Sequence, residues 1–320
     1  MNPILEQISL LGIVPVIALD NVEDALPLAK ALYDGGLPCA EVTFRTTAAE
    51  EAIQIMTEAY PDMLVGAGTV LTTEQVDRAM NAGAKFIVSP GFNPKIVSYC
   101  VSKNIPITPG CSSPSDIEQA LEHGLEVVKF FPAEASGGLA KIKAMAAPYT
   151  KIKFMPTGGI NAKNLNSYLE YKKIIACGGS WMVNKDLLKA KDFNGIKKLT
   201  EEAIHLMLGF ELRHIGINTN NENEATSVAD YFDKMFGFSK IVGSSSIFAG
   251  SGVEVLKSPY LGKNGHIAVQ TNDVKRAMYH LSKRGVEFDM NTANYDNNGS
   301  VKTVYMKDEV GGFAIHLIQK

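Results

Sequence analysis

Residues 12–179 of the 320-residue chain repeat one pattern eight times, a short apolar run that usually leads into an amphipathic stretch. The apolar runs are 12–18, 39–44, 64–69, 86–90, 106–110, 126–132, 154–159 and 174–179. Runs that are apolar on both faces are typical of parallel strands covered by helices. Eight strand–helix repeats in this length predict an α/β fold, a (β/α)₈ barrel. The alternative, an open doubly wound sheet, would not need eight similar units, and no Gly-x-Gly-x-x-Gly follows the first run.

Two of the amphipathic stretches carry clear helix-start signals. Thr72 stands before a stretch that opens with Thr73-Glu74-Gln75, and Ser113 is followed by Pro114 and, three residues on, by Asp116. A hydroxyl at the cap position and proline at the first helical position favour a helix start. We therefore predict helices that begin directly after Thr72 and Ser113.

Length and composition predict two domains and exclude several classes of partner. Hydrophobic residues make up 46% of the chain, enough for a barrel over residues 1–208 and a smaller α+β domain over residues 209–320. The net charge is −3, which argues against a nucleic-acid partner. No apolar run approaches the roughly 20 residues of a membrane span. Widely spaced cysteines and the absence of a recognisable secretory signal lead us to expect a cytoplasmic protein.

The sixth apolar run contains a lysine that does not suit a buried strand. Strand side chains alternate between faces, so Lys129 shares its face with Val127 and Phe131. Burial favours the neutral form of an amine, which can then attack a carbonyl carbon. In the second run, alternation places Glu41 and Arg45 on one face, which we expect to point into the barrel. A structural ion pair is the competing interpretation for each strand, but three ionisable groups inside one barrel are costly unless they are used.

The ends of the other strands predict a ligand site at the mouth of the barrel. Thr69 follows Gly66-Ala67-Gly68, whose glycines we expect to leave room for a ligand, although Thr69 could also be a helix cap. Pro90 ends the fourth strand, and we expect it to make that part of the barrel mouth rigid. Glycine pairs follow the seventh and eighth strands, where barrels commonly bind phosphate through backbone N–H groups. These pairs are Gly158-Gly159 and Gly178-Gly179, the latter followed by Ser180.

Six ordered motifs over about residues 5–205 resemble the class I aldolases that act on 2-keto-3-deoxy-6-phosphogluconate (KDPG) and 4-hydroxy-2-oxoglutarate. The motifs are Glu41-Val42-Thr43-Phe44-Arg45-Thr46, Gly66-Ala67-Gly68-Thr69-Val70, Phe86-Ile87-Val88-Ser89-Pro90, Lys129-Phe130-Phe131-Pro132-Ala133-Glu134, Pro156-Thr157-Gly158-Gly159-Ile160 and Gly178-Gly179-Ser180-Trp181. The resemblance implies that Lys129 forms a Schiff base and that Glu41 shuttles protons. It also implies that Arg45 and Thr69 hold a carboxylate, that Pro90 and Phe131 shape the pocket, and that Gly158, Gly159, Gly179 and Ser180 receive a phosphate.

The same resemblance implies an aldehyde-lyase of the Entner–Doudoroff pathway that needs no cofactor and assembles as a homotrimer. The expected reaction cleaves KDPG to pyruvate and glyceraldehyde 3-phosphate, and 4-hydroxy-2-oxoglutarate to pyruvate and glyoxylate. Three alternatives stay open at this point: an aldolase specific for the phosphogalactonate epimer, another phosphate-binding barrel isomerase or epimerase, and a non-catalytic sensor. If the protein is an enzyme, we expect its binding partner to be a small phosphorylated keto-acid substrate. We expect it to bind neither nucleic acid nor a membrane.

From Leu212 the pattern changes to two similar units. Each unit has a short strand with histidine, then a helix, then further strands; the first strands are 214–218 and 266–270. The pair resembles the βαβββ modules of the vicinal oxygen chelate superfamily, which includes glyoxalase I and ring-cleaving dioxygenases. That family binds a divalent metal on the first and last strands of each module, and the matching residues here are His214, Glu254, His266 and His316. Three histidines and a glutamate suit zinc, nickel, manganese or iron. His316 stands where glyoxalase I usually has glutamate, and the alternative is a domain that only assembles or senses.

Overall fold

The computed structural model describes residues 1–320, which divide into two compact units, Met1–Met207 and Leu208–Lys320. The first unit alternates strands with helices, and the second is mostly β-sheet with two helices. None of the helices is both long enough and apolar enough to cross a membrane.

The first unit contains eight short parallel strands that are almost entirely buried. They are β1 (Ile13–Ile17), β2 (Cys39–Thr43), β3 (Leu64–Gly68), β4 (Ile87–Val88), β5 (Ile107–Thr108), β6 (Val127–Phe130), β7 (Lys153–Pro156) and β8 (Cys177–Gly179). The helices are α1 (Pro3–Leu11), α2 (Ala25–Asp34), α3 (Ala49–Ala59), α4 (Thr73–Asn81), α5 (Pro94–Ser102), α6 (Pro114–Glu122), α7 (Gly138–Ala146), α8 (Leu165–Leu169), α9 (Lys185–Lys189) and α10 (Phe193–Leu208).

The strands form a curled parallel sheet. Six of them pair in the order β5-β4-β3-β2-β1-β8, and β6 pairs with β7. Parallel bridges join Gly110 after β5 to Lys129 on β6, and Thr157 after β7 to Gly178 on β8. Because consecutive parallel strands need a crossover, each returns through a helix, and the carboxyl ends of all strands lie at one rim. That rim is where Lys129, Arg45 and the glycine turns can meet.

Both predicted helix starts are confirmed. The Thr72 hydroxyl accepts a hydrogen bond from the backbone N–H of Gln75 at 3.2 Å, at the start of α4. Ser113 and Asp116 form a reciprocal capping box at the start of α6, with Pro114 as its first residue. These caps satisfy backbone donors that have no partner inside the helix, which fixes where the connection ends and the helix begins.

The second unit consists of one eight-stranded sheet and two helices. Its elements are β9 (Glu211–Asn218), α11 (Glu222–Phe236), β10 (Lys240–Val242), β11 (Ser246–Ala249), β12 (Val253–Leu256), β13 (Gly265–Thr271), α12 (Val274–Ser282), β14 (Phe288–Tyr295), β15 (Val301–Val310) and β16 (Phe313–Gln319). The sheet order is β10-β11-β12-β9-β13-β16-β15-β14. Each half therefore runs strand, helix and three strands, and the two halves meet where β9 pairs antiparallel with β13.

One hydrophobic cluster of this unit lies between α11 and the first half of the sheet. Ala225 and Ala229 on α11 pack against Ile247 and Val255, and all four side chains are buried. Small residues on the helix allow it to lie close to the sheet, so the branched strand residues fill the space between them. The predicted metal ligands lie on the four central strands of the sheet, which are neighbours in the order β12, β9, β13 and β16.

Candidate functional site

Lys129 and Glu41 form a buried ion pair inside the first unit. The Lys129 amine donates to Glu41 Oε1 at 3.0 Å, and the side chains are 6% and 0% exposed. Glu41 Oε2 is also buried and has no hydrogen-bond partner in the protein. Buried polar atoms are normally satisfied, so this oxygen is an acceptor held ready for a hydroxyl or a water molecule. An amine beside a carboxylate is an arrangement that can exchange a proton.

The glycines of the third strand accommodate side chains of the protein. A Cβ atom on Gly68 would lie 2.3 Å from Glu41 Oε1, and one on Gly66 would lie 2.4 Å from the ring of Phe86. The expectation that these glycines leave room for a ligand is therefore corrected. Gly68 instead permits Glu41 to reach Lys129, since any side chain there would displace the carboxylate.

Arg45 and Thr69 lie together at the rim. Arg45 Nε donates to Thr69 Oγ1 at 3.4 Å. β2 ends at Thr43, so Arg45 lies in the turn after the strand and is exposed, rather than at the end of the strand as the alternation predicts. Thr69 has φ of 56°, in the left-handed region that residues other than glycine rarely occupy. Such strain persists only where the surroundings hold it, and it is common at ligand sites.

One cavity of about 390 Å³ reaches all of the site residues predicted in the first unit except Glu41, which contacts Lys129. The predicted residues that line it are Lys129, Arg45, Thr69, Pro90, Phe131, Gly158, Gly159, Gly179 and Ser180. The Phe131 ring centre lies 5.3 Å from Lys129 Nζ, which gives the amine an aromatic neighbour. The structure therefore brings the amine, the guanidinium and the glycine turns to one space of the size of a small ligand.

Several residues outside the predicted site also line the cavity, among them Thr157, Trp181 and Lys185. Thr157 directly precedes Gly158 at the end of β7, so its position at a strand end could have identified it; its hydroxyl is buried without a partner. Trp181 explains Gly179, because a Cβ atom there would lie 2.0 Å from the indole ring. Lys185 begins α9, and no strand pattern in the sequence points to it.

The first glycine pair has the backbone of an anion-binding turn. Gly158 and Gly159 have φ of 100° and 83°, values that side chains disfavour. A Cβ atom on Gly159 would also lie 2.6 Å from Glu134 Cβ. The carbonyl oxygens of both glycines accept hydrogen bonds within the protein, whereas the successive N–H groups of Gly159 and Ile160 have no acceptor in it. Free N–H groups in succession are suited to phosphate or carboxylate oxygens.

In the second unit, the four predicted metal ligands lie together. His214 on β9 and His266 on β13 face each other with 3.1 Å between their Nε2 atoms. Glu254 Oε2 lies 3.1 Å from His214 Nε2 and 3.2 Å from His266 Nε2. The ligand atoms of His214, His266 and His316 all lie within 4.8 Å of one another. A Cβ atom on Gly216 would lie 2.1 Å from the His266 ring, so that glycine makes room for the cluster.

The electrostatics of this cluster favour a metal ion. Burial and the neighbouring His266 and His214 lower the pKa of His316 to about 4, so its ring is neutral near pH 7. Although burial acts to raise the pKa of Glu254, hydrogen bonds from His214, His266 and Ser246 hold it well below its usual range. Both ring nitrogens of His316 and Nδ1 of His266 are buried without hydrogen-bond partners. The neutral His316 ring, beside two further imidazoles and a carboxylate, fits a divalent transition metal.

An aromatic residue outside the predicted ligand set, Tyr305, covers the cluster. The Tyr305 ring stacks on His316 with 4.7 Å between ring centres and lies 6.2 Å from His266. The backbone of Tyr305 on β15 pairs with that of His316 on β16, which explains the contact. Burial, then the neighbouring Tyr260 and Glu254, raise the pKa of the Tyr305 hydroxyl, which stays protonated near neutral pH.

Relatives of known activity match the first unit over nearly their whole length. The 2-dehydro-3-deoxy-phosphogluconate aldolase of Treponema pallidum is 49% identical over 207 residues, which cover 65% of this chain and 99% of the relative. The enzyme of the same name from Haemophilus influenzae is 52% identical over 64% of this chain and 96% of its own length.

A solved structure shares the fold of the same segment. The KDPG aldolase of Legionella pneumophila, captured with pyruvate as a covalent carbinolamine, is 38% identical with a TM-score of 0.61. The match covers 62% of this chain and 97% of that one. The family model of KDPG and KHG aldolases matches residues 4–199, which is more than half of the chain. This protein therefore belongs to the KDPG and KHG aldolase family.

Proposed function

We propose that residues 1–208 form a class I aldolase domain that cleaves KDPG to pyruvate and glyceraldehyde 3-phosphate. The observation that carries the proposal is the Lys129–Glu41 pair, with 3.0 Å between Nζ and Oε1, at the base of a cavity that Arg45 and Thr69 also line. The bridges beside β6 and β7 support a complete (β/α)₈ barrel. The names of the relatives and the covalent pyruvate adduct in the Legionella enzyme support the same chemistry.

The proposed reaction begins when Lys129 passes a proton to Glu41 and the neutral amine attacks C2 of the keto acid. Loss of water from the carbinolamine, with Glu41 returning the proton to the departing oxygen, gives an iminium ion that accepts electrons. Glu41 then removes the C4 hydroxyl proton, directly or through water, and the C3–C4 bond breaks with its electron pair moving onto the iminium. The aldehyde leaves, Glu41 protonates the enamine carbon, and hydrolysis releases pyruvate and the free amine.

Binding of the two ends of the substrate orients it over Lys129. Arg45 offers a planar guanidinium to the carboxylate of the keto acid, and Thr69 adds a hydroxyl. Gly158, Gly159, Gly179 and Ser180 receive the phosphate through backbone N–H groups and the serine hydroxyl. Pro90 and Phe131 enclose the reacting carbons and limit water. The same amine can act on 4-hydroxy-2-oxoglutarate, whose cleavage yields pyruvate and glyoxylate, as the KHG/KDPG aldolase name of a relative 42% identical over 60% of this chain suggests.

A pyruvate-release assay with the full chain tests this function. Lactate dehydrogenase and NADH report pyruvate as loss of absorbance, with KDPG, its C4 epimer 2-keto-3-deoxy-6-phosphogalactonate and 4-hydroxy-2-oxoglutarate as substrates. We expect pyruvate from KDPG at the highest kcat/KM. Preference for the epimer would assign the phosphogalactonate reaction, and no pyruvate from any substrate would leave an isomerase, an epimerase or a non-catalytic sensor.

We further propose that residues 209–320 form a vicinal oxygen chelate domain of two βαβββ modules that binds one divalent metal. The ion would be held by His214, Glu254, His266 and His316. When bound, it would act as a Lewis acid. The element order of each half and the convergence of four ligands support this assignment. Metal analysis of the purified full chain, compared with the His214→Ala/His266→Ala double variant, is the test. We expect about one equivalent of metal per wild-type chain and none in the double variant. Equal metal content in the two proteins would reject the proposed metal site.

The family resemblance also leads us to propose a homotrimer in the cytoplasm. Light scattering coupled to gel filtration would give the mass of the assembly, and a value other than three times the 34.6 kDa chain would reject the trimer.

A further inference from the structure

The turn after β7 is held in place by two asparagine side chains. Asn164 Nδ2 and Asn161 Nδ2 both donate to the carbonyl oxygen of Gly159, each at 3.1 Å. Asn164 Oδ1 accepts the backbone N–H of Asn161 at 2.9 Å. If the oxygen and nitrogen of the Asn164 amide were exchanged, its NH₂ group would face the Asn161 N–H and its oxygen would face the Gly159 carbonyl oxygen. Only the observed orientation therefore satisfies both hydrogen bonds.

These bonds determine where the N–H groups of the turn point. In a trans peptide the C=O and the N–H of the same unit point in opposite directions. The Gly159 carbonyl is held by the two asparagines, so the N–H of Ile160 faces the other way. The Gly158 carbonyl is held in the same manner by the backbone N–H of Glu134 at 3.1 Å, which turns the N–H of Gly159 away from it. Neither N–H has an acceptor in the protein, and Gly158, Gly159 and Ile160 all line the 390 Å³ cavity.

We infer that Asn164, assisted by Asn161, is a positioning residue that makes this enzyme select phosphorylated substrates. The inference depends on the phosphate site of the proposed function. Asn164 does not line the cavity, and it acts through the peptide between Gly159 and Ile160. Without its amide, the Gly159 carbonyl keeps only the bond from Asn161, whose own backbone N–H loses its acceptor. The Gly159–Ile160 peptide is then held less firmly, and the turn loses part of the preorganisation that a dianionic phosphate needs. Lys129 lies on β6, outside this turn, and its amine donates to Glu41 on β2.

Substitutions of similar size at Asn164 test the contribution of its side-chain N–H donor. Asn164→Asp keeps the acceptor for the Asn161 N–H but cannot donate to the Gly159 carbonyl, and Asn164→Leu removes both groups without adding charge. Asn166→Asp is the matched control, because Asn166 is also an asparagine of this segment whose amide donates to a backbone carbonyl, that of Leu206, at 2.8 Å. Its bond has no connection with the turn.

The experiment compares KDPG with 2-keto-3-deoxygluconate, the same acid without phosphate, on the full chain. For both Asn164 variants we expect the ratio of kcat/KM for KDPG to kcat/KM for the unphosphorylated acid to fall about tenfold, the effect of one lost hydrogen bond. Borohydride trapping of pyruvate on Lys129 should stay at the wild-type level, and Asn166→Asp should keep the wild-type ratio.

An equal loss with both substrates, or an unchanged ratio, would overturn the role of Asn164. If the wild-type protein released no pyruvate at all, the proposed function would fail by itself. Calorimetric binding of inorganic phosphate would then decide the inference. Tighter binding by the wild type than by Asn164→Leu, with Asn166→Asp equal to the wild type, supports it; equal binding by all three, or no binding, rejects it.

Discussion

Lys129 Nζ lies 3.0 Å from Glu41 Oε1, although the two residues are 88 positions apart in the chain. Both side chains are almost fully removed from water. Burying two charges costs several kcal/mol per ion before their attraction is counted, so such a pair is weak evidence for stability. Its position at the base of the cavity, with one carboxylate oxygen unpartnered, is instead what a proton-transfer pair requires.

Substitution of Glu41 should slow the chemistry while the fold survives. Glu41→Gln keeps the size and the hydrogen-bond acceptor but cannot take a proton, so we expect kcat for KDPG to fall by about 10²- to 10⁴-fold. Steady-state pyruvate release measures this. Glu50→Gln is the control, because Glu50 is a partly exposed carboxylate paired with Arg78. A Glu41→Gln enzyme with wild-type kcat would contradict the role of Glu41 as the proton shuttle.

The buried pair should show strong coupling in stability. Glu41→Leu leaves the Lys129 charge without a partner and should cost roughly 3–5 kcal/mol of unfolding free energy. Lys129→Met combined with Glu41→Leu removes both charges, and we expect the double variant to recover most of that loss. Denaturant unfolding of the three variants and the wild type gives the coupling energy. Additive losses would mean that the two side chains do not depend on each other for burial.

Gly68 should be essential for the placement of Glu41. In Gly68→Ala the new methyl group would lie 2.3 Å from Glu41 Oε1, so the carboxylate must move away from Lys129. We expect kcat to fall by about 10²-fold, since a displacement of about 1 Å at a reacting group has that effect. Gly91→Ala is the matched control in the same unit, because a Cβ atom there meets nothing within 4 Å. Equal activities of the two variants would argue against this packing role.

The alternation of side chains along the strands was the sequence feature that predicted most of the fold and the catalytic pair. Alternation identified Lys129 and Glu41 because a charged side chain in an otherwise apolar strand stands out. The prediction for Gly66 and Gly68 was wrong, since periodicity does not tell whether a glycine makes room for a ligand or for a neighbouring side chain. The alternation of side chains also continues to Arg45, although β2 ends two residues earlier, at Thr43.

Other features depend on contacts that no periodicity encodes. Asn164 acts through a hydrogen bond to the backbone of a glycine five positions earlier, and asparagines near turns are common in any sequence. Tyr305 reaches the histidine cluster because of the register between β15 and β16. The four ligands of that cluster could be named in advance only because each occupies the strand position that the resemblance to vicinal oxygen chelate proteins indicates.

Metal binding should stabilise the second unit. A ligand at about 100 times its dissociation constant adds roughly 2.7 kcal/mol to the unfolding free energy of the state that binds it. We therefore expect a chelator to lower the unfolding temperature of the full chain, and added zinc, nickel, manganese or iron to restore it. His316→Ala should abolish the response, because a ring nitrogen of His316 lies within 4.8 Å of the ligand atoms of His214 and His266, and neither of its ring nitrogens has a protein partner.

The control for this experiment is His123→Ala, a histidine of the first unit whose ring contacts Ser98 and the Gln119 carbonyl. It should respond to the chelator as the wild type does. A chelator response that persists in His316→Ala, or is absent from the wild type, would exclude the predicted metal centre.

The most direct measurement is borohydride reduction of the full chain in the presence of pyruvate, followed by peptide mass spectrometry. A Schiff base between the keto carbon and the amine becomes a stable secondary amine on reduction. We predict one pyruvate-derived adduct per chain, located on Lys129 and absent from Lys129→Arg. An unmodified Lys129, or an adduct on another lysine that persists in Lys129→Arg, would contradict the assignment of this amine as the nucleophile.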